Sequence, residues 1–251
     1  AASDVYKRQF CYRIFFQKFG GRDPAVEHFT LPERKGRFIS FQDVGFDGFV
    51  VLIFECFHSD VFAKEAAACL AANGIKTYVF KSLRPVPELS FAVRTLGCIA
   101  GIVITASHNP REYNGYKVYW EDGAQVTPPH DTGIMAEVAK VTSFDMVKTM
   151  EKEKAQAEGL YQIISDDVDE SYFAELRNLS IHPEIIKKMA KDIKIVYTPL
   201  HGTGLGPVKR VLSDLGFENV YIEPQQAVAD GHFPTAPYPN PENPDAWELA
   251  L

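Results

Sequence analysis

The amino-acid sequence predicts an α/β protein whose helices connect the strands of a sheet by crossovers. Apolar segments of strand length, rich in β-branched residues, alternate with helical patterns between residues 58 and 105. Glycine follows two of the helical patterns, at Gly74 and Gly97, as it commonly does at the carboxyl end of a helix. A second strand–helix–strand alternation occupies residues 194–223. These three observations together indicate the α/β class.

The first predicted elements follow one another closely. Ser59 or Asp60 can cap the first helix, because short polar side chains accept hydrogen bonds from the free amides of a helix start. The pattern then predicts, in order, a helix over 63–72, a strand over 75–80, a helix over 88–96 and a strand over 99–105. The last of these is almost continuously apolar, which is typical of a buried strand.

A hairpin and further helices are expected in the rest of the chain. Asn114-Gly115 predicts a turn, and a hairpin that turns at Asp122-Gly123 is expected over 116–126. Residues 151–159 are polar and charged, which fits a solvated helix face or a loop insertion. The later pattern predicts helices over 133–141, over 166–176 and from Pro183, then a strand over 194–198, a helix over 207–215 and a strand over 220–223.

The composition excludes several classes of protein. Hydrophobic residues make up 46% of the 251 residues, the level of an ordinary globular protein, and the net charge is −7. This acidic balance does not favour nucleic acid or an anionic membrane as a partner. No apolar run reaches the roughly 18 residues of a membrane span. The four cysteines show no paired spacing, so we expect free thiols in a reducing cytosol and a cytoplasmic location.

Residues 1–57 do not share the regular pattern of the rest. They hold 11 of the 18 phenylalanines and show no convincing periodicity of helix or strand. The letters DVYKRQ at residues 4–9 resemble the translation of a sequencing-library adapter. We therefore expect residues 1–57 to be an unreliable segment that includes adapter-derived and out-of-frame translation. A divergent but genuine amino terminus is the alternative, and resequencing of the source DNA distinguishes the two.

The most informative segment lies where the strand over 99–105 ends. It reads Ala106-Ser107-His108-Asn109 and is closed by Pro110. Open α/β sheets bind their ligands at the carboxyl ends of strands, which is where this hydroxyl stands. His108 is its neighbour, and the ammonium group of Lys117 follows ten residues later. A serine placed in this way suits a covalently carried phosphoryl group, and a simple capping turn is the alternative.

Residues 105–110, TASHNP, followed by NGYK at 114–117, resemble the active-site loop of the α-D-phosphohexomutase family. Residues 119–125 and 128–131 are most similar to its phosphoglucomutase/phosphopentomutase branch. The resemblance covers residues 58–251. It implies a three-layer α/β/α domain with a mixed sheet over 58–191, which would carry the phosphoserine loop, and the truncated start of a second, similar domain over 192–251.

The resemblance also implies roles for three residues. Ser107 would be the phosphoserine nucleophile and, through its phosphate, one ligand of Mg²⁺, a hard cation that prefers oxygen. Lys117 would be the cation near the transferred group and a candidate general acid or base, unless it is a solvent-facing strand lysine. His108 would orient the phosphate or the substrate hydroxyl, or it is structural. The implied cofactors are Mg²⁺ and a sugar bisphosphate of the glucose 1,6-bisphosphate type, which acts as intermediate and primer.

The activity that the resemblance implies is that of a phosphosugar mutase, an intramolecular phosphotransferase. We expect it to interconvert glucose 1-phosphate and glucose 6-phosphate in carbohydrate metabolism, with a small-molecule sugar phosphate as its partner. A phosphopentomutase or phosphomannomutase of the same family is the nearest alternative. A non-catalytic phosphosugar-binding relative, and a phosphatase that uses Ser107 transiently, are hypotheses from other classes.

The sequence also departs from the family pattern. A Gly-rich, Arg-containing loop and an Asp-Ser-Arg-like segment are expected before Ser59, yet residues 54–58 read FECFH and neither arginine has a counterpart. The acidic metal-binding loop of the family would lie beyond Leu251. We therefore expect this chain to be inactive alone.

Three other motifs have plainer interpretations. Arg84-Pro85 fits a rigid turn, and the loop His201-Gly202-Thr203-Gly204 fits the opening of the second domain rather than a phosphate site. The acidic residues near 166–170 fit a helix start, where negative charge complements the helix dipole, rather than a metal cluster. They are Asp166, Asp167, Asp169 and Glu170.

Overall fold

The computed structural model describes residues 49–54, 58–109 and 114–251. The strands are β1 (Phe49–Phe54), β2 (Lys76–Val79), β3 (Ala100–Thr105), β4 (Gly115–Trp120), β5 (Tyr161–Ile163), β6 (Lys194–Tyr197) and β7 (Asn219–Ile222). The α-helices are α1 (Ser59–Ala72), α2 (Val86–Thr95), α3 (His130–Val138), α4 (Lys152–Ala157), α5 (Asp166–Asn178), α6 (Pro183–Met189) and α7 (Leu205–Asp214). Short 3₁₀ turns occupy Phe144–Met146 and Pro244–Trp247.

Five of the strands form one mixed sheet in the order β4-β3-β1-β2-β5. β1 pairs in parallel with β2 and with β3, and β2 pairs in parallel with β5. β4 runs antiparallel to β3. α1 joins β1 to β2 and α2 joins β2 to β3, because parallel neighbours need a crossover connection. The mixed α/β sheet expected from the sequence is confirmed.

β3 is buried on both faces, and this explains why the domain has three layers. Ile102 and Ile104 pack with Leu52 and with the alanines of α1 on one face of the sheet. Val103 packs on the other face, with Leu89 of α2. Because side chains alternate along a strand, a continuous apolar run needs a covering layer on each face. Residues of α1, α3 and α4 cover one face and those of α2 and α5 the other, which confirms the three-layer prediction.

Two strands of the sheet are absent from the sequence-based prediction. β1 lies within residues 1–57 and forms the centre of the sheet. β5 has three residues at the edge, too few to give a periodic signal. Residues 1–48 and 55–57 lie outside the described part of the chain, so the interpretation of that segment stays a prediction.

The first helix begins differently from the expectation. His58 takes the cap position in a left-handed conformation, with φ 55°, and its side chain makes no capping hydrogen bond. Ser59 is therefore inside the helix and buried, and Asp60 forms an ion pair with Lys64. The prediction that Ser59 or Asp60 caps this helix is wrong, because the helix begins at Ser59 itself and His58 takes the cap position.

Two further segments differ in detail from the predicted pattern. The hairpin after β4 is reduced to a single bridge between Tyr119 and Gln125, with Gly123 in the turn. The charged segment 151–159 contains α4, which buries Ala155 in the core that lies under α1. Met150 and Leu160, on either side of this short helix, pack against the same core.

The chain continues into a smaller unit in which β6 and β7 pair in parallel and α7 connects them. This unit packs on α5 through charged side chains. Arg210 of α7 donates two hydrogen bonds to Glu170, at 2.9 and 2.8 Å, and its guanidinium lies 5.2 Å from the ring centre of Phe173. Arg210 also pairs with Asp214 on its own helix. The strand–helix–strand order predicted for this segment is confirmed.

Cys69 and Cys98 are both buried, and Cys98 is a free thiol. Burial raises the pKa of Cys98 to about 12. Its thiol is therefore protonated and unreactive at neutral pH.

Among the described helices, none combines the length and the apolar character needed to cross a bilayer.

We expect Gly101→Ala to destabilise the sheet domain. A Cβ at this position would lie 2.6 Å from Cγ2 of Val93 and 3.1 Å from Cδ1 of Leu89, so α2 would have to move away from β3. The expected loss is about 1–3 kcal/mol of unfolding free energy, measured by urea unfolding followed by circular dichroism. Gly206→Ala is the control, because its added Cβ meets nothing within 4 Å. Equal stability of the two variants would contradict the close approach of α2 to β3.

Candidate functional site

The loop that carries Ser107 leaves the sheet at Thr105 and returns at Gly115, and these two residues pair across β3 and β4. Ala106 is still buried, whereas residues 107–109 are exposed. Residues 110–113, which include the closing proline, lie outside the described part of the chain. The chain thus passes within one residue from a fully buried strand into solvent. This happens at the edge of the sheet where the parallel strands end.

Ser107 has a left-handed backbone conformation, with φ 57°. Such a conformation is uncommon for a residue with a Cβ, and it is concentrated in tight turns and functional sites. The N–H of Ser107 donates to Oγ1 of Thr105 at 2.8 Å. The N–H of Asn109 donates to the carbonyl of Ala106 at 3.0 Å. The hydroxyl is therefore presented to solvent by a hydrogen-bonded backbone.

The structure brings His108 to Ser107. Nδ1 of His108 lies 3.4 Å from Oγ of Ser107, near the limit of a hydrogen bond. A neutral ring nitrogen at this position can accept the hydroxyl proton, and a protonated ring can donate to a phosphate on the same oxygen. Both side chains are exposed. The pair therefore suits the orienting role that the sequence predicts for His108.

Lys117 lies on the same sheet but further from the loop. It is half-buried on β4 and pairs with Val103, four residues before Ser107. The pair Thr105–Gly115 lies two strand residues, about 7 Å, nearer to the loop. No described contact joins the ammonium group of Lys117 to the hydroxyl of Ser107, and its role stays a prediction.

Asn114 and Ser59 form a polar pair beside the loop that no sequence pattern predicts. Asn114, where the loop returns, is 4% exposed and donates through Nδ2 to Oγ of Ser59 at 3.3 Å. Ser59 is 0% exposed in the first turn of α1. In the sequence, Asn114 is only the first half of an Asn-Gly turn signal and Ser59 only a candidate cap. The two residues are 55 positions apart, so no local pattern could have joined them.

A second polar cluster lies at the same edge of the sheet, where α2 and α5 begin. Arg84 donates through Nε to Oδ1 of Asp169 at 3.2 Å and through Nη2 to Oδ2. Lys81 pairs with Asp166. The acidic residues of this segment begin α5, as predicted. Arg84 does more than form a turn, because it ties the start of α2 to α5.

Glu88 is buried beneath this cluster. Its side chain is 0% exposed, and Nε of Arg84 approaches its Oε1 to 3.3 Å while the guanidinium donates hydrogen bonds to Asp169, to Ser82 and to the carbonyl of Leu83. Burial, and next the neighbouring carboxylate of Asp169, raise the pKa of Glu88 to about 8. Protonated Glu88 can donate a hydrogen bond to Asp169, whereas ionised Glu88 would face it as a like charge. The raised pKa of Glu88 therefore favours its neutral form at neutral pH.

The described residues do not complete a metal site. Within 49–54, 58–109 and 114–251, no three His, Cys, Asp or Glu side chains are placed to hold a metal ion. Mg²⁺ prefers six oxygen ligands in near-octahedral geometry. Ser107 could offer one of them through a phosphate, so the described donor set does not fit Mg²⁺ by itself.

The glycine-rich loop after β6 is held by hydrogen bonds and packing contacts. His201 is buried, with Nδ1 at 2.9 Å from the carbonyl of Val228 and Nε2 at 2.8 Å from Oγ1 of Thr235. At Gly204 an added Cβ would lie 2.6 Å from the hydroxyl of Tyr197. Both ring nitrogens of His201 are thus engaged in holding the loop, and the backbone at Gly204 is packed against a side chain.

Comparison with known proteins finds relatives for most of the chain. The family model described as phosphoglucomutase/phosphomannomutase, alpha/beta/alpha domain I, matches residues 56–145, and the model for domain II matches residues 170–251. A phosphoglucomutase of Staphylococcus saprophyticus is 38% identical over 207 residues, which are 81% of this chain and 36% of the relative. A phosphopentomutase of Mus musculus is 35% identical over 181 residues, 72% of this chain and 29% of the relative.

A solved structure shares the fold. The open form of pp63/parafusin, a phosphoglucomutase from Paramecium, matches with a TM-score of 0.62 at 16% identity, over 92% of this chain and 42% of that chain. At this identity the likeness supports the fold alone. The chain spans about a third of the length of the curated relatives that it matches.

We expect the contribution of Glu88 to the stability of the protein to fall as the pH rises, because the pKa of Glu88 is raised in the folded state. Its folded pKa of about 8 lies above the ordinary value of 4.5. The stabilisation is therefore complete below pH 4.5 and is lost as the pH rises to about 8, at up to about 1.4 kcal/mol per pH unit. Glu88→Gln should remove this slope and exceed the wild type in stability above pH 8.

Urea unfolding across this pH range measures the effect. Glu175→Gln, at an exposed position of α5, is the control and should keep the wild-type slope. Parallel stability curves for the wild type and Glu88→Gln would show that Glu88 is ionised in the folded protein.

Proposed function

The chain belongs to the phosphoglucomutase/phosphomannomutase family, and we propose that it carries the serine through which a phosphosugar mutase moves phosphoryl groups. One observation carries the proposal. Ser107 stands exposed, with a left-handed backbone, at the end of a strand that is buried on both faces. A hydroxyl held in this way can accept and return a phosphoryl group while the backbone that holds it stays fixed.

The proposed reaction consists of two transfers. The phosphate on Ser107 passes to a free hydroxyl of the sugar phosphate: the Oγ–P bond breaks and the sugar O–P bond forms. The sugar hydroxyl gives up its proton, and Oγ of Ser107 gains one. The sugar bisphosphate then turns, and its other phosphate returns to Ser107 by the same exchange of bonds and protons.

Two neighbours are proposed to assist these transfers. His108, 3.4 Å from the hydroxyl of Ser107, orients the phosphate or the substrate hydroxyl. Lys117 supplies positive charge and acid–base assistance from β4. For this its side chain would extend along the sheet so that the ammonium group approaches Ser107. Charge that spreads over the phosphoryl oxygens during transfer is the property that both side chains can stabilise.

We propose Mg²⁺ as the cofactor, with the phosphate on Ser107 as one of its ligands and the glucose 1,6-bisphosphate type of compound as intermediate and primer. The ion would neutralise phosphate charge when bound, and its other ligands are not among the described residues.

Glucose 1-phosphate and glucose 6-phosphate are the proposed substrate pair, in the cytoplasm. The relatives named phosphoglucomutase and phosphopentomutase differ little in identity, at 38% and 35%, so a pentose phosphate is the nearest alternative, followed by a mannose phosphate. The proposed first domain ends near residue 191 and the second begins at residue 192. β1 joins the first domain from before residue 58.

Replacement of Ser107 tests the proposed function. In the full-length gene product, glucose 1,6-bisphosphate should place a phosphate on residue 107, detected by mass spectrometry of peptides. Ser107→Ala should lower the mutase rate by more than about 10³-fold, because it removes the group that carries the phosphate. Ser213→Ala, at an exposed position of α7, is the control and should retain the full rate.

The same assay separates the alternatives. Glucose, ribose and mannose 1-phosphates are compared with Mg²⁺ present, and release of inorganic phosphate is followed in parallel. A wild-type rate for Ser107→Ala would refute the mechanism. Phosphate release without an isomer would indicate a phosphatase, and binding without either would indicate a phosphosugar-binding relative. The 251-residue chain alone should give no turnover, because it spans about a third of its relatives.

Lys117→Ala should lower kcat of the full-length gene product by about 10²–10⁴-fold, the usual contribution of acid–base assistance. Phosphate should still appear on Ser107 when the bisphosphate is supplied in excess. Lys187→Ala, at an exposed position of α6, is the control. If both variants keep the wild-type kcat, Lys117 is a strand lysine without a catalytic role.

A further inference from the structure

We propose that Asn114 and Ser59 are positioning residues that hold the Ser107 loop in the geometry required for phosphoryl transfer. The inference rests on the proposed function of Ser107. The hydrogen bond from Asn114 to Ser59 ties the point where the loop rejoins the sheet to the first turn of α1. Asn114 thus acts from the returning end of the loop and Ser59 from the neighbouring helix, and neither touches a reacting atom.

At each described end of the loop, a buried polar side chain makes a hydrogen bond. On the leaving side, Oγ1 of Thr105, a residue that is 3% exposed, accepts the N–H of Ser107. On the returning side, Asn114 directly precedes Gly115, the partner of Thr105 in the ladder. Ser107 lies between these anchors with a backbone conformation that a free chain seldom adopts. Such a conformation persists only where the surroundings enforce it.

The buried position of Ser59 places its hydroxyl within reach of the Asn114 amide. His58 occupies the cap, so Ser59 enters the helix at a fully buried site. Other buried positions of α1, such as Ala63 and Ala67, are alanine. A hydroxyl is unfavourable in such a place unless it is hydrogen-bonded. The amide of Asn114 supplies the donor, which explains why a serine stands there.

Loss of either partner should act on the rate of transfer more than on substrate binding. A misplacement of about 1 Å at a reacting group can cost about 100-fold in rate. We expect kcat of Asn114→Ala and of Ser59→Ala each to fall about 10- to 100-fold, with KM within about twofold of the wild type. The double variant should lose less than the product of the two single factors, because each single variant already removes the hydrogen bond that joins Asn114 to Ser59.

Thr77→Ala is the matched control. Its buried hydroxyl donates to the carbonyl of Leu160 at 3.0 Å, on the β2–β5 side of the sheet. This variant also loses a buried hydrogen bond, so its melting temperature should fall as well. Its kcat should stay within about twofold of the wild type at a temperature where every variant is folded. A general loss of stability would lower kcat in all three single variants alike.

Hydrogen exchange on the 251-residue chain gives a readout that needs no activity. The amide of Ser107 should exchange about tenfold faster in Asn114→Ala and Ser59→Ala than in the wild type or Thr77→Ala. Unchanged exchange, or faster exchange with an unchanged kcat, overturns the positioning role. Full activity of Ser107→Ala overturns the proposed function instead, and the exchange rates then decide whether Asn114 and Ser59 anchor the loop.

Discussion

The burial of β3 on both faces is the constraint on which the rest of the domain depends. A strand whose side chains alternate between two apolar layers cannot turn early without exposing apolar surface to water. β3 therefore runs unbroken to Thr105, and the chain reaches solvent only two residues later, at Ser107. The layers that bury the strand thus also fix where the hydroxyl emerges. Packing of the core thus sets the point along the chain at which Ser107 reaches solvent.

The polar groups of the domain collect at the same edge for a related reason. Helices that follow parallel strands begin where those strands end, so the starts of α2 and α5 lie at the edge from which the Ser107 loop emerges. The polar side chains at these helix starts lie next to an apolar core, so they must find hydrogen-bond or ion-pair partners among themselves. Arg84 does this by pairing with Asp169, and burial raises the pKa of Glu88, which favours its uncharged form. Asn114 and Ser59 are buried at this edge and pair through an uncharged hydrogen bond.

Local patterns in the sequence were enough to predict most of these elements and the serine itself. Ser107 and His108 are neighbours in sequence at the end of a strongly apolar strand, so their chemistry can be recognised in one short segment. β5 is too short for a periodic signal, and β1 lies among residues without a regular pattern. The polar residue pairs near the site could not be predicted from the sequence for another reason. Asn114 and Ser59 are 55 positions apart and Arg84 and Asp169 are 85 apart, so these pairs exist only once the sheet has formed.

α5 takes part in two packing arrangements at once, and this couples them. Asp169 receives Arg84 from the sheet domain, and the adjacent Glu170 receives Arg210 from the smaller unit. A helix moves as a nearly rigid body, so a rotation of the β6–α7–β7 unit that drags α5 would also displace the partner of Arg84. The electrostatic surroundings of Glu88 would then change with the angle between the units. Linkage is reciprocal: if domain rotation alters the proton affinity of this buried carboxyl, then uptake or release of that proton biases the rotation.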